Sequence, residues 1–163
     1  QGDTAAVATS TNIWCGTEYG EDKGILGFGS DGSYTAKTNL VSNTGVVAAD
    51  TTGVAGATAR AYLAACEYAG DKGIFGFGDG SAMNVTNLVS NTGAVAADTT
   101  GVGTARWGPA SCEFGGDKGI FGYGSTGGGT QSMTNLVSNT GVVATDVSGV
   151  GTTRNDLGAC SFN

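Results

Sequence analysis

Gly70-Asp71-Lys72-Gly73-Ile74-Phe75-Gly76-Phe77-Gly78 decides the fold. Glycine alternates here with large apolar residues. That rhythm defeats a helix, where each glycine costs about 1 kcal/mol against alanine. It suits strands in sheets packed closely face to face, where the missing side chain lets a neighbour approach. Just upstream, residues 63–68 (Leu-Ala-Ala-Cys-Glu-Tyr) alternate small and larger side chains in the same way. Residues 70–73 between the two runs read as a hairpin turn. The Ser42-Asn43-Thr44-Gly45 stretch reads as a second turn, with Gly45 free to take positive φ before a strand over 46–49. No segment sustains an apolar period of 3.6. The expected class is all-β.

The stretch is one copy of a repeat. Asp-Lys-Gly-Ile followed by Leu or Phe, Gly, an aromatic and Gly stands at 22–29, 71–78 and 117–124. Asn-Leu-Val-Ser-Asn-Thr-Gly stands at 39–45, 87–93 and 135–141, a spacing of 48 both times. Arg60, Arg106 and Arg154 each precede a cysteine (Cys66, Cys112, Cys160) by six residues. About 48 residues hold some four strands of ordinary length with their turns. The chain therefore divides into units at approximately 12–59, 60–105 and 106–153, with 154–163 opening a further unit, all within one repeat domain. Residues 3–11 echo 98–106, so the chain begins in the tail of a unit.

These units resemble kelch-type β-propeller blades. The likeness lies in the hydrophobic-Gly-aromatic-Gly strand end at 74–78, the variable loop after it, the strand 86–89 and the Gly-Val-Gly-Thr-Ala-Arg run at 101–106. The low divergence between units is also similar to the tandem kelch-like repeats of phage tail fibres and environmental surface proteins. The resemblance implies four-stranded blades arranged about an axis. A β-trefoil is the alternative for three repeats, although the Gln-x-Trp signature of sugar-binding trefoils is absent and Trp14 and Trp107 are not at equivalent places.

Composition narrows the function. The 163 residues include 31 glycines and no histidine, and the net charge is −7. Without histidine the commonest general base and metal ligand are missing. The kelch-type oxidases bind copper through histidine and tyrosine, which this chain cannot match. The negative balance argues against nucleic acid and anionic lipid as partners. No run approaches the roughly 20 apolar residues of a membrane span. The expectation is a non-enzyme without cofactor or metal.

Several motifs carry a bland reading beside a functional one. Gly27-x-Gly29-x-x-Gly32 and Gly122-x-Gly124-x-x-Gly127 match a dinucleotide fingerprint formally, but no helix follows to meet a pyrophosphate. Glu18, Asp22 and Lys23 recur as Glu67, Asp71, Lys72 and as Glu113, Asp117, Lys118. Repetition in every unit speaks against an active site or calcium site and for a solvated turn in which the lysine neutralises the glutamate. Asp50, Asp98 and Asp146 read as Asx turns. Arg60, Arg106 and Arg154 are expected to pair with a carboxylate of a neighbouring unit and so set register. Asn84-Val85-Thr86 is the sole N-glycosylation sequon, with Asn84 as acceptor, and paired threonines such as Thr152-Thr153 are open to O-glycans.

Cys15, Cys66, Cys112 and Cys160 lack the spacing of zinc ligands and are the disulfide candidates. Their even number points to an oxidising, extracellular or cell- or virion-surface location. Each is read as occupying the same place in its unit, and at least one disulfide is expected, between sequence-neighbouring units or two chains. The leading function is a structural subunit of an extracellular filament, fibre or surface assembly, joined to copies of itself head-to-tail or in a ring through incomplete terminal repeats. The alternative is a carbohydrate-binding module for adhesion, using the variable loops 30–37, 79–84 and 125–131.

Overall fold

The computed structural model describes residues 11–51, 53–79 and 81–161. The echo over 3–10, Thr52, Gly80 and the last two residues of the C-terminal segment lie outside them. Every regular element among the described residues is a strand.

Each unit forms its own antiparallel three-stranded sheet. The first comprises β1 (Cys15–Tyr19), β2 (Lys23–Gly27) and β3 (Thr38–Val41), with β2 central. β4 (Ala64–Tyr68), β5 (Lys72–Gly76) and β6 (Thr86–Val89) repeat it. The third unit has β7 (Ala110–Phe114) and β8 (Lys118–Gly122), a hairpin of the short strands β9 (Ser125–Thr126) and β10 (Gly129–Thr130), and then β11 (Thr134–Val137). Register is the same each time: Cys15 faces Gly27, Ala64 faces Gly76, and Ala110 faces Gly122.

The expected fourth strand at 46–49 is reduced to a pairing around a bulge. Val47 bridges Val41, and Ala48 N donates to Leu40 O at 2.8 Å. The next bond runs from Thr51 N to Thr38 O, so two steps on β3 meet three on the incoming chain. The extra residue swings Asp50 onto Asn39. The same bulge delivers Asp98 to Asn87 and Asp146 to Asn135. These aspartates are therefore sheet partners rather than Asx turns.

The alternating glycines explain how the sheets stack. On β5, Gly73 and Phe75 face the first sheet while Ile74 and Gly76 face the third. A Cβ built at Gly73 would lie 2.5 Å from Thr17 Cγ2, and one at Gly76 would lie 2.7 Å from Phe121 Cζ. Phe75 in turn points at Gly27. Two apolar layers result. Tyr19, Ile25, Phe28, Leu63, Phe75 and Val89 fill the first, and Tyr68, Ile74, Phe77, Phe121 and Val137 are the large residues of the second. Strand ladders join strands of one unit only, so this is three stacked sheets and not the shared barrel of a trefoil.

The inner strands β1, β4 and β7 lie side by side across these layers. Two backbone bonds continue that order along one end: Gly108 N donates to Tyr62 O at 2.8 Å, and Asp156 N donates to Gly108 O at 2.9 Å. Ile13, Tyr62, Gly108 and Asp156 are equivalent and all hold positive φ.

Candidate functional site

The strand end hydrophobic-Gly-aromatic-Gly builds a seat for the arginine. Phe28, Phe77 and Tyr123 take φ of 61°, 63° and 64°, which peels the chain off the sheet. The glycine that follows has no alternative. At Gly78 a Cβ would stand 2.8 Å from Ala61 O. The peeled aromatic exposes both its ring face and its carbonyl.

Arg60 fills the seat between the first and second sheets and is fully buried. Its Nε donates to Phe77 O at 2.7 Å, one terminal nitrogen to Thr58 O at 3.1 Å, and the other to Asn87 Oδ1 at 2.7 Å. The guanidinium lies 4.5 Å from the centre of the Phe28 ring, while Gly29 N donates to the Arg60 carbonyl. Arg106 repeats the arrangement with Tyr123 O, Thr104 O and Asn135 Oδ1, over the Phe77 ring at 3.9 Å. Each arginine thus touches two sheets and bonds mainly to carbonyls and an asparagine. The expected partner, a carboxylate of a neighbouring unit, is not there: the carboxylates near the two arginines, Asp98 and Asp146, belong to each arginine's own unit and stand farther off, at 3.9 Å. Burial lowers both guanidinium pKa values to about 10, which leaves them charged at neutral pH.

The aspartates grip the chain just before each arginine. Thr58 donates to Asp98 through its amide and its hydroxyl, the latter at 2.5 Å, and Thr104 does the same to Asp146. The asparagines that complete the clamp, Asn87 and Asn135, are fully buried. They open the Asn-Leu-Val motif, and its repetition is the only sequence signal for them.

The first and last positions of the series differ from these two. Arg154 stacks over Tyr123 at 5.1 Å and its carbonyl accepts from Gly124 N, but its side chain is exposed and its Nε donates only to Thr152 O. No asparagine meets it among the described residues. In the first sheet, Asn39 holds Ala48 O and Asp50 through its amide nitrogen, and no arginine reaches its Oδ1 among the described residues. The Arg60 position corresponds there to Thr11, since the Asn12–Ser30 bridge matches Ala61–Asp79 and Trp107–Ser125. On the far face of the third sheet, a cavity of about 130 Å³ is lined by Ala110, Cys112, Ile120, Gly122, Thr134 and Ala159. It sits where Gly76 receives Phe121. At Gly122 a Cβ would meet nothing closer than Thr134 Cγ2 at 3.4 Å.

A second cavity, of about 260 Å³, runs along the inner strands and is lined by Glu18, Glu67 and Glu113 with Cys66, Cys112 and Cys160. The glutamates therefore face this cavity, and the expectation that a turn lysine neutralises them is corrected. In the turns Lys23 pairs with Asp22 at 2.7 Å, Lys72 with Asp71 at 2.5 Å, and Lys118 with Asp117. Each of those aspartates also accepts from the asparagine of the Ser-Asn-Thr-Gly turn. Burial raises the Glu67 pKa, with the charges of Glu18 and Glu113 adding to it. Among the described residues no cluster of His, Cys, Asp and Glu is disposed to hold a metal ion.

Within the chain all four cysteines are free thiols, against the expected disulfide between sequence-neighbouring units. The physical reason is direction. Cys66 Sγ points at Gly119 of the next sheet, as Thr17 points at Gly73, so equivalent side chains follow one another around the stack without facing. The equivalence of the four also fails: register places Cys15 opposite Gly27, the place of Ala64 and Ala110, while Thr17 holds the place of Cys66 and Cys112. Burial pushes the Cys66 thiol up to about 12 and raises Cys15 and Cys112 as well. At neutral pH these are poor nucleophiles and poor metal ligands.

The Asn84 amide nitrogen donates to Gly103 O at 2.7 Å, so the sequon's acceptor atom is engaged in an internal bond. Near the variable loops, Tyr34 donates its hydroxyl to Asp79 at 3.0 Å, and the Tyr62 and Trp107 rings meet edge to face at 5.7 Å. Trp14 is half exposed on the same strand ends.

No protein-family model matches the sequence, and no curated protein is significantly similar to it. Among solved structures the fold is similar to that of YjhT, with a TM-score of 0.62 at 16% identity. The likeness covers 79% of this chain and 43% of that one, so the chain spans less than half the length of the structure it matches.

Proposed function

We propose that the chain is a non-catalytic structural subunit, built of kelch-like propeller blades, that joins copies of itself through its end faces in an extracellular filament, fibre or surface layer. The observation that carries this reading is Arg154. It is the third member of a series whose first two members are buried bolts between sheets, yet it stands exposed beside an unfilled apolar socket at Gly122. Its ring seat and backbone anchor are in place while its side chain is left exposed, which suits a contact with another surface. The absence of histidine and the raised thiol pKa values favour a structural over a catalytic role. Electron microscopy of the purified chain across a concentration series tests the reading: ordered polymers or rings are expected, and a monomer at every concentration overturns it.

A second reading, carbohydrate binding, draws on the rings near the variable loops: Tyr34, bonded to Asp79, the Tyr62 and Trp107 pair, and the half-exposed Trp14. Aromatic faces with a carboxylate at hand suit a pyranose. A glycan array with the isolated chain separates the two: saturable binding to one sugar class favours this second reading.

A further inference from the structure

The aromatic residues of the chain fall into two groups. Those at 19, 68 and 114, at 28, 77 and 123, and at 75 and 121 recur with the repeat and build the sheets and the arginine seats. The other rings among the described residues are Trp14, Tyr34, Tyr62 and Trp107, and none has a ring at the equivalent place in another unit. Register makes Trp14 the counterpart of Leu63 and Pro109, and Tyr62 the counterpart of Ile13 and Gly108. The strand-end bridges make Trp107 the counterpart of Asn12 and Ala61. The bonds from Thr35, Met83 and Gln131 to Gly29, Gly78 and Gly124 make Tyr34 the counterpart of Ala82 and Thr130.

All four stand at the same end of the sheets, where the inner strands start and the central strands finish. Trp14, Tyr34 and Tyr62 are 51%, 41% and 36% exposed, so burial does not account for them. Three of them are linked across the units. The Tyr34 hydroxyl of the first unit donates to Asp79 of the second at 3.0 Å. Tyr62 of the second is close enough to Tyr34 for their hydroxyls to interact electrostatically, and its ring meets Trp107 of the third at 5.7 Å. In a repeat this regular, rings the fold does not require form a singular patch on one face.

We propose that this face binds a neutral β-linked glucan, with its sugar rings stacked on Tyr62 and Trp107 and its hydroxyls bonded to Asp79. This deepens the carbohydrate reading and rests on it. A pyranose with equatorial substituents turns its axial C–H groups to its two faces, and such a face packs on an aromatic ring as an apolar surface does. A patch that crosses three units suits a chain of sugars better than a single one. Asp79, half-buried and already accepting the Tyr34 hydroxyl, brings the acceptor oxygens of a carboxylate to sugar hydroxyls. A purely apolar partner would strip water from that carboxylate without replacing its hydrogen bonds. An acidic sugar would meet it as a like charge, on a chain of net charge −7. The cations toward this end are engaged: Arg60 and Arg106 are buried, Lys37 is held by Asp31 at 3.1 Å, and Arg154 stacks on Tyr123.

Trp14 and Trp107 are the chain's two tryptophans, so intrinsic fluorescence reads this face directly. Titration of the 163-residue chain with cellohexaose should give a saturable change, and trigalacturonic acid should give none. By calorimetry, Tyr62→Ala and Trp107→Ala should each weaken cellohexaose binding by at least about tenfold, as central aromatic anchors do. Val142→Ala, exposed at the opposite end, should bind like the parent. Circular dichroism verifies the fold of each variant. Tyr34→Phe, which keeps the ring and removes the hydroxyl on Asp79, should weaken binding several-fold and stands in for an alanine variant that misfolds. A chain that ignores cellohexaose, responds equally to trigalacturonic acid, or binds as well without these side chains overturns the proposal. If cellohexaose fails while another sugar on the glycan array binds, the carbohydrate reading stands without it. Silence toward every sugar overturns both.

Discussion

The tip of the Phe121 ring points straight at Gly76, so that a Cβ at that glycine would lie 2.7 Å from Cζ. The neighbouring position in the next sheet, Gly122, has no such ring above it. Sequence alone makes the two glycines equal, and the stack makes them opposite. Gly76→Ala is expected to lower stability by about 1–3 kcal/mol through overpacking. Gly122→Ala should be neutral or raise it by roughly 0.5 kcal/mol, the ordinary advantage of alanine over glycine in a strand. Urea unfolding of the two variants checks this, and equal losses would contradict the stacking.

Truncating the buried clamps should be severe. Arg106→Ala leaves Asn135 Oδ1 and Tyr123 O buried without their donor and removes the cation above Phe77. A loss of about 3–5 kcal/mol is expected, the usual cost of breaking a buried polar cluster from one side. Arg154→Ala, on the exposed member of the series, should change monomer stability by no more than about 0.5 kcal/mol. Thermal unfolding at low protein concentration separates the two.

Acid and neutral pH should act on different carboxyls with opposite sign. Burial tends to raise Asp98 and Asp146, but hydrogen bonds from Thr58 and Asn87, and from Thr104 and Asn135, outweigh it and hold both below their ordinary value. The unfolded chain, with carboxyls near 3.9, then takes up protons first on acidification. The stabilisation is complete above that value and is lost as pH falls through the depressed folded value. Glu67 is raised, so its folded form takes the proton first, and its contribution is unfavourable at neutral pH and relieved on acidification. Glu67→Gln should therefore add a few tenths of a kcal/mol at pH 7, a small figure because solvent screens the site. The gain should vanish toward pH 4. Chemical denaturation at both pH values reads it.

Alkylation should sort the thiols by exposure. Cys160 is exposed and Cys66 is buried with its thiol pushed up. Brief treatment of the native chain with iodoacetamide is expected to label Cys160 first and Cys66 only on unfolding. Peptide mass mapping decides, and early labelling of Cys66 would contradict its packing against Gly119.

The central strands are legible in the sequence because glycine alternates in them with large apolar residues, β4 because small and larger side chains alternate, and β6 through the kelch likeness; β4, β6 and the turn before β5 fall close to the expected places. Direction across sheets is not legible. Asn87 reads as the start of a strand, and only the bulge at Asp98 and the peeled carbonyl of Phe77 turn it into the arginine's partner. Cys15 reads as a fourth repeat cysteine because its distance from the others is near the repeat length. A two-residue shift in register, visible only in the pairing with Gly27, gives it a different place along its strand. The glutamates escape sequence reading for a related reason: they precede the turn by a few residues, which is enough to place them on the first strand of the hairpin, opposite a glycine, rather than in the turn with the lysine.

The clamp also bears on how such a stack comes apart. Arg60 belongs by sequence to the second unit, yet its ring seat and its backbone anchor belong to the first. No unit can therefore unfold without loosening its neighbour, and the stack behaves as a row of coupled units. The coupling is weakest at the two end sheets, each bolted on one side only. Under tension or in hydrogen exchange, opening should start at an end and reach the central sheet last, each arginine marking a step.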